Sequence, residues 1–372
     1  MFSTTPLSGI FAALLAVLLA TCATAQEACA AGSSGAQESH ADEPLPVLDL
    51  HSGFWINLHH FVYQQARLRQ GVLSATEGSG AAPSPAQSGS GRRRTGEMAR
   101  TEALTPEERQ AWTAALDYYS AQLAGQDLLF NGDMVNLKNR LSEMENCPDL
   151  SGRSGAACAS GLRQELIATL ERVAPVYRAH WWAEHDRLNR VWIAAVAPLV
   201  RQLGGALAQE LAITYQTSWP AGRLRVDVVF YGGPFGAYTT LDPVHLTMSS
   251  TDAENQGPSA LEVVFHEASH ALAGAVRDAI ARECRARSKP IPRDLWHALL
   301  FYTTGEIVRH ALSAPNFAAG RASGAYTPYA YRLGLYSRGW QNYQRVLERY
   351  WQPYLDGKAE FDTAVARLVS NL

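Results

Sequence analysis

The stretch from Leu261 to Leu272 reads L-E-V-V-F-H-E-A-S-H-A-L, and it restricts what the chain around it can become. Leu261, Val264, Phe265, Ala268, Ala271 and Leu272 recur at helical spacing, which predicts a helix with an apolar flank set into a core. His266 and His270 lie four residues apart, about 40° from each other on one face of that helix. Two imidazoles one turn apart can share a metal ion, and Glu267 beside them can act as a base on a metal-bound water. The alternative for the same residues is two core-facing histidines and a surface carboxylate.

The chain has 372 residues, 47% of them apolar, and a formal charge of −3. That length buries a substantial core, in one large domain or two small ones. The near-balanced charge gives no electrostatic support to a nucleic-acid partner. The basic run Arg92-Arg93-Arg94 sits in a Gly/Ser/Pro/Ala-rich stretch and reads as a solvated segment or processing site.

Residues 1–25 have the form of an export signal: an apolar run, Ile10 to Ala20, then the small-x-small pattern Ala23-Thr24-Ala25. A second reading takes Leu19-Ala20-Thr21-Cys22 as a lipobox, with a lipid anchor on Cys22. No later segment is expected to cross a membrane. Export places the protein in the periplasm or outside the cell, where cysteines oxidise. Cys147 and Cys158 bracket a Pro/Gly/Ser-rich loop and are expected to pair. Cys29 and Cys284 either pair or stay free.

Residues 26–46 are small and polar, a linker. From residue 47 a mostly helical region is expected to run to 220. It starts with a helix whose Phe54, Leu58, Phe61, Val62 and Leu68 share one face. His51, His59 and His60 are expected to pack against the body or line a cleft. Residues 71–100 form a low-complexity insert without apolar periodicity. Thr105-Pro106-Glu107-Glu108 starts a helix, with Thr as cap, Pro at the first position and acids in the first turn. Helices continue to about Glu145 with a break near Gly125, and again from Leu162 to Leu203 with kinks at Pro175 and Pro198. His180 and His185 read as ordinary helix histidines.

A second region, 221–372, carries the metal site. Leu224–Tyr231 alternates and is bounded by Gly232-Gly233-Pro234, so it is a strand; Ala237–Thr240 and Val244–Ser250 are two more. The last is expected at a sheet edge, able to pair with an extended peptide. A helix follows Pro290-Ile291-Pro292, residues 311–331 are loop-like, and helices at about 335–351 and 357–370 finish the chain. The fold class is therefore α+β, predominantly helical, with a small sheet preceding the metal-binding helix. The chain shows no internal repeat, and its oligomeric state is not legible.

Zinc with two His ligands needs a third protein ligand and keeps one position open. Glu283 would lie about 20 Å along a continuous helix from His270, too far to coordinate. Ala273 and Val276 stand where a metzincin pattern needs Gly and His. Glu306 is the favoured third ligand, because it falls on the stripe Leu295, Leu299, Tyr302, Glu306, where an unpaired carboxylate is costly. The competing account is that Glu306 snorkels or pairs with an arginine. Asp294 is expected to cap its helix, His297 to face away from Glu306, and His310 to support Glu306. The small residues Ala271, Ala273, Gly274 and Ala275 leave room for a neighbouring helix.

With His266, Glu267, His270 and Glu306 in this order, residues 224–310 resemble a gluzincin, the zinc peptidase class with His-Glu-x-x-His and a downstream Glu. The resemblance implies one Zn2+ ion, a peptide or protein substrate, and hydrolysis with Glu267 as general base. The long gap from His270 to Glu306, and His310 one turn further on, depart from its best-known members. An oxyanion donor is expected in the run A-Y-T-P-Y-A-Y-R. Tyr329 is favoured over Tyr326 and Tyr331, and His245 is a further choice. A zinc hydrolase of a non-peptide amide or ester shares this chemistry. A non-catalytic zinc protein would have no need of Glu267.

Overall fold

A four-stranded sheet separates two layers of helices. The computed structural model describes residues 47–71, 100–314 and 326–372. The export segment 1–25, the linker 26–46, Cys22, Cys29, most of the insert 71–100 and residues 315–325 lie outside them. The strands are β1 (Leu48–His51), β2 (Leu224–Val229), β3 (Ala237–Leu241) and β4 (Val244–Ser249). β1 and β4 both run parallel to β2, and β3 closes the sheet antiparallel to β4. The α+β class holds, but β4 is internal and the edge on its side of the sheet is β3. Ala237, Tyr238, Thr239 and Thr240 on that edge are buried, so it is not an open template for an added strand.

Strand alternation sorts the two faces. Val226 and Val228 of β2, with Leu246 and Met248 of β4, enter a core built on α5 (Ala183–Thr214), α6 (Pro258–Ser269) and α8 (Leu295–Ser313). Their neighbours Arg225, Asp227, His245 and Thr240 point to the other face. There α3 (Gly132–Glu143) covers them: Lys138 Nζ donates to Thr240 Oγ1 at 2.6 Å, and Ser142 Oγ to Asp227 at 2.7 Å. Asp227, His245 and Thr240 are therefore buried and hydrogen-bonded, not solvated. Beyond it lies a second core of α1 (Phe54–Arg69), α2 (Pro106–Gln122), α3 and α4 (Gln164–Tyr177).

The sequence accounts for the helix starts. Thr105 and Glu108 form a reciprocal capping box ahead of Pro106, and the Asn131 side chain accepts from Asp133 and Met134. From Gln164 the chain forms one rod: Pro175 is followed by a π-helical turn at Arg178–Trp182, and α5 then passes Pro198 without a break. The π turn takes up the hydrogen bond and space that a proline disturbs. By length and composition Gln164–Thr214 does qualify as a membrane span, against expectation. Trp181, Trp192, Val196, Val200 and Leu211 along it are nevertheless buried in the two cores.

A boundary at 220 is not found: β1, from the first expected region, hydrogen-bonds to β2, from the second, and the described residues form one compact unit. Cys147 and Cys158 are disulfide-bonded, and Cys284 is a buried free thiol.

Candidate metal centre

α6 begins at Gly257, whose positive φ of 54° turns the chain, and at Pro258 in the first helical position. Every residue from Ala260 to Ser269 is buried, so this is a core helix with no solvated face. It ends at the motif itself. His270–Leu272 tightens into a 3₁₀ turn, and α7 (Gly274–Ala286) starts in a new segment. The continuous helix expected beyond His270 is therefore interrupted where the second histidine emerges.

α8 packs across α6 and brings a third imidazole to the pair. Nitrogens of His266, His270 and His297 all lie within 4.8 Å of one another. Nε2 of His266 and Nε2 of His297 are 3.3 Å apart. Two nitrogens bound to one tetrahedral zinc at ~2.0–2.1 Å would sit about 3.3–3.4 Å apart, so this pair fits such a centre. Burial holds all three imidazoles neutral. It drives His266 well below the usual range, takes His270 down to about 3 with help from the Arg277 charge, and takes His297 down to about 4. Neutral rings offer lone pairs, the state a metal requires.

Glu306 is not brought to this cluster. Its carboxylate is paired with Arg309 one turn along the same helix. His297 and Glu306 are nine residues apart, on opposite sides of α8, and only one can face α6. The stripe containing Glu306 carries the buried Leu295, Leu299 and Tyr302, and the carboxylate at its end is satisfied within its own helix. His297 with Phe301, spaced i, i+4, forms the face that meets the histidines. Asp294 occupies the cap position of α8, but its side chain makes no cap bond. His310 is exposed.

Glu267 is buried beside the cluster, with Oε2 4.0 Å from Nε2 of His270. Thr239 on β3 has its hydroxyl 2.8 Å from Glu267 Oε2 and 2.9 Å from the Glu267 carbonyl, so one donor serves the two acceptors in turn. Burial pushes the Glu267 carboxyl up to about 7, opposed by the Thr239 bond and the charge of Lys138. A base poised near neutrality matches proton abstraction at ordinary pH.

Aromatic rings wall the site. Phe301 stacks on His266 at 3.8 Å between centroids, and Tyr329 lies parallel to Phe301 at 6.0 Å. Trp296 stacks on His297 and meets His270 edge-on, and Trp340 packs against both His297 and Phe301. His266 Nδ1 is buried without a partner among the described residues, so the Phe301 stack, not a hydrogen bond at Nδ1, holds that side of the ring.

Of the expected oxyanion donors, Tyr329 joins this wall one ring removed from His266. The Tyr326 hydroxyl donates to Glu262 at 2.6 Å, and the Tyr331 hydroxyl donates to Glu348 at 2.9 Å. His245 is on the opposite face of the sheet, bonded to Asp227 and Asn139. His59 and His60 are core residues bonded to Tyr119 and Tyr238. His51 pairs with Glu145, His180 with Glu108, and His185 with Tyr177.

Sequence reasoning passed over three supporting residues. Glu262, one turn before His266, is buried and accepts from the Tyr326 hydroxyl and the Tyr329 amide, which anchors the tyrosine segment to α6. Its position in the apolar run, four residues before the first histidine, was the available signal. Phe301 and Thr239 carried none, being an aromatic in a helix and a threonine in a strand. Compared with protein-family models, characterised proteins and solved structures, the chain returns no match.

Proposed function

We propose that the protein is an exported zinc-dependent hydrolase cleaving peptide bonds, with His266, His270 and His297 as ligands and Glu267 as general base. The observation that carries this reading is the convergence of three neutral imidazoles beside one buried, hydrogen-bonded carboxylate. A structural zinc site usually fills all four positions with protein ligands and has no use for such a base. The resemblance to gluzincins is thereby kept in the His-Glu-x-x-His segment and revised at the third ligand, where His297 replaces Glu306.

A bound zinc ion would supply Lewis acidity to a carbonyl and make a water molecule in the cleft more acidic. Glu267 accepts the proton of that water and returns it to the leaving amine, while Thr239 keeps its carboxylate turned to the histidines. The rings of Phe301, Trp296, Trp340 and Tyr329 make one wall of the cleft apolar, which strengthens electrostatic interactions inside it. Export agrees with the Cys147–Cys158 disulfide, since such bonds persist in oxidising compartments.

Metal analysis and a mixed peptide library test the reading together. His297→Ala is expected to lose most of its zinc while Glu306→Ala retains it; the reverse pattern returns the third ligand to Glu306. The zinc-loaded wild type is expected to cut the library and Glu267→Gln to lose at least 100-fold in rate. A loaded wild type that cuts nothing sinks the peptidase reading.

A further inference from the structure

One cationic side chain stands beside the histidine cluster without a carboxylate to neutralise it. Arg277, on α7, is exposed, and its guanidinium lies 5.1 Å from the centroid of the Trp296 ring. Among the described residues it forms no ion pair, whereas Arg282 on the same helix is held by Asp362 and Arg287 by Glu283. Trp296 is at the same time stacked on His297 and set edge-on against His270, with centroids 5.2 and 5.7 Å away. One indole thus separates the guanidinium from two of the three histidines.

Glu267 is buried and turned to Thr239, and Asp294 has Arg293 as its nearest charged partner at 3.9 Å. Neither engages Arg277. A guanidinium packed on an aromatic face loses little freedom when it binds, and its planar fork matches a carboxylate.

We infer that Arg277, positioned by Trp296, is a specificity-determining residue that binds a carboxylate of the substrate next to the bond presented to the histidine cluster. This rests on the hydrolase reading above and narrows its substrate class to peptides carrying an acid at that place. The acid is either the free C-terminus of a peptide or an acidic side chain within one. The two sources predict different products, since the first confines cleavage to a chain end.

Binding separates this inference from turnover. The probe set is acetyl-Ala-Phe-Ala-Ala as free acid and as C-terminal amide, together with the amides of acetyl-Ala-Phe-Glu-Ala and acetyl-Ala-Phe-Gln-Ala. Each is titrated calorimetrically into the zinc-loaded full chain carrying Glu267→Gln, which blocks hydrolysis. An anionic member is expected to bind about 10-fold more tightly than its neutral twin. The acid/amide pair identifies a terminal carboxylate, and the Glu/Gln pair an internal one. Adding Arg277→Gln is expected to bring that ratio to near one, Arg277→Lys to keep part of it, and Arg282→Gln to leave it unchanged.

A ratio near one in the Glu267→Gln protein, or one that survives Arg277→Gln, overturns the inference. If the ratio behaves as expected but the wild type cleaves none of the four peptides, the carboxylate site stands and the peptidase reading falls.

Discussion

Thr239 is the side chain through which the sheet acts on the candidate base. Its hydroxyl reaches Glu267 from β3 and makes the one neutral hydrogen bond to that carboxylate among the described residues. Thr239→Val keeps the shape of the side chain and removes the donor. The expected result is a loss of about 10-fold or more in kcat, with zinc content and fold unchanged, because groups that orient a site typically contribute 10–100-fold. Steady-state rates alongside metal analysis check this; a fall in zinc content equal to the fall in rate would mean that Thr239 supports the ligands instead. The same residue shows where sequence reading stops. His266, Glu267 and His270 are legible because helical spacing alone places them together. Thr239 lies 28 residues upstream on a strand, and only the tertiary packing of β3 on α6 brings it there. His297 is an intermediate case. Helical spacing correctly sets it opposite Glu306, but which of the two faces meets α6 depends on how α8 rolls against the core.

Between α6, α8 and the tyrosine segment the close approach depends on Gly305. A Cβ there would lie 2.7 Å from Cβ of Pro328 and 3.1 Å from Glu262 Oε1. Pro328 belongs to a rigid ring and cannot swing aside, so Gly305→Ala must push the segment away and stretch the bonds from Tyr326 and Tyr329 to Glu262. A loss of about 1–3 kcal/mol is expected from overpacking of this kind. Gly274→Ala, at a position with nothing within 4 Å, is the matched control and should be neutral or slightly stabilising. Urea unfolding of the two variants decides it, and equal midpoints would show that the segment yields freely. At this scale most elements were readable: Thr105-Pro106 as a helix start, Leu224 onward as a strand, the Cys147–Cys158 staple. The misses have local causes. Leu48–His51 is too short for alternation to register, and it becomes β1 only by pairing with β2. Pro198 reads as an interruption or a kink, and α5 runs through it without interruption, with Val196 and Val200 seated in the first core on either side. The strand Val244–Ser249 looked like an edge because half of its residues are polar. They face α3 instead of water.

Across the whole molecule, that polar sheet face joins the two cores, and Asp227 is its centre. The carboxylate is fully buried and accepts from Arg225 through Nε at 3.0 Å and Nη2 at 2.9 Å, from Ser142 of α3 at 2.7 Å, and from His245 of β4. Arg225 continues to Glu145, and Glu145 to His51, so the network runs from β4 back to β1. Burial alone would raise the Asp227 pKa, but the bonds from His245 and Arg225 hold it well below the usual carboxylate range. The folded pKa is thus depressed relative to the unfolded one. Its contribution is fully present above the unfolded value of about 3.8 and is lost as pH falls from there toward the folded pKa. Asp227→Ala leaves Arg225 and His245 facing an unfilled polar site and is expected to cost about 3–5 kcal/mol at pH 6, the range for breaking a buried pair by removing one partner. Asp227→Asn keeps an acceptor but has no charge to lose, so its deficit relative to wild type should be largest at pH 6 and smaller at pH 3. Urea titrations of the three proteins at both pH values test this. A deficit independent of pH would show that Asp227 acts through shape and hydrogen bonding alone. If the pH-dependent deficit is found, the charge on the hidden face of the sheet is what ties the helical layer of α1 to α4 to the layer that carries the histidines.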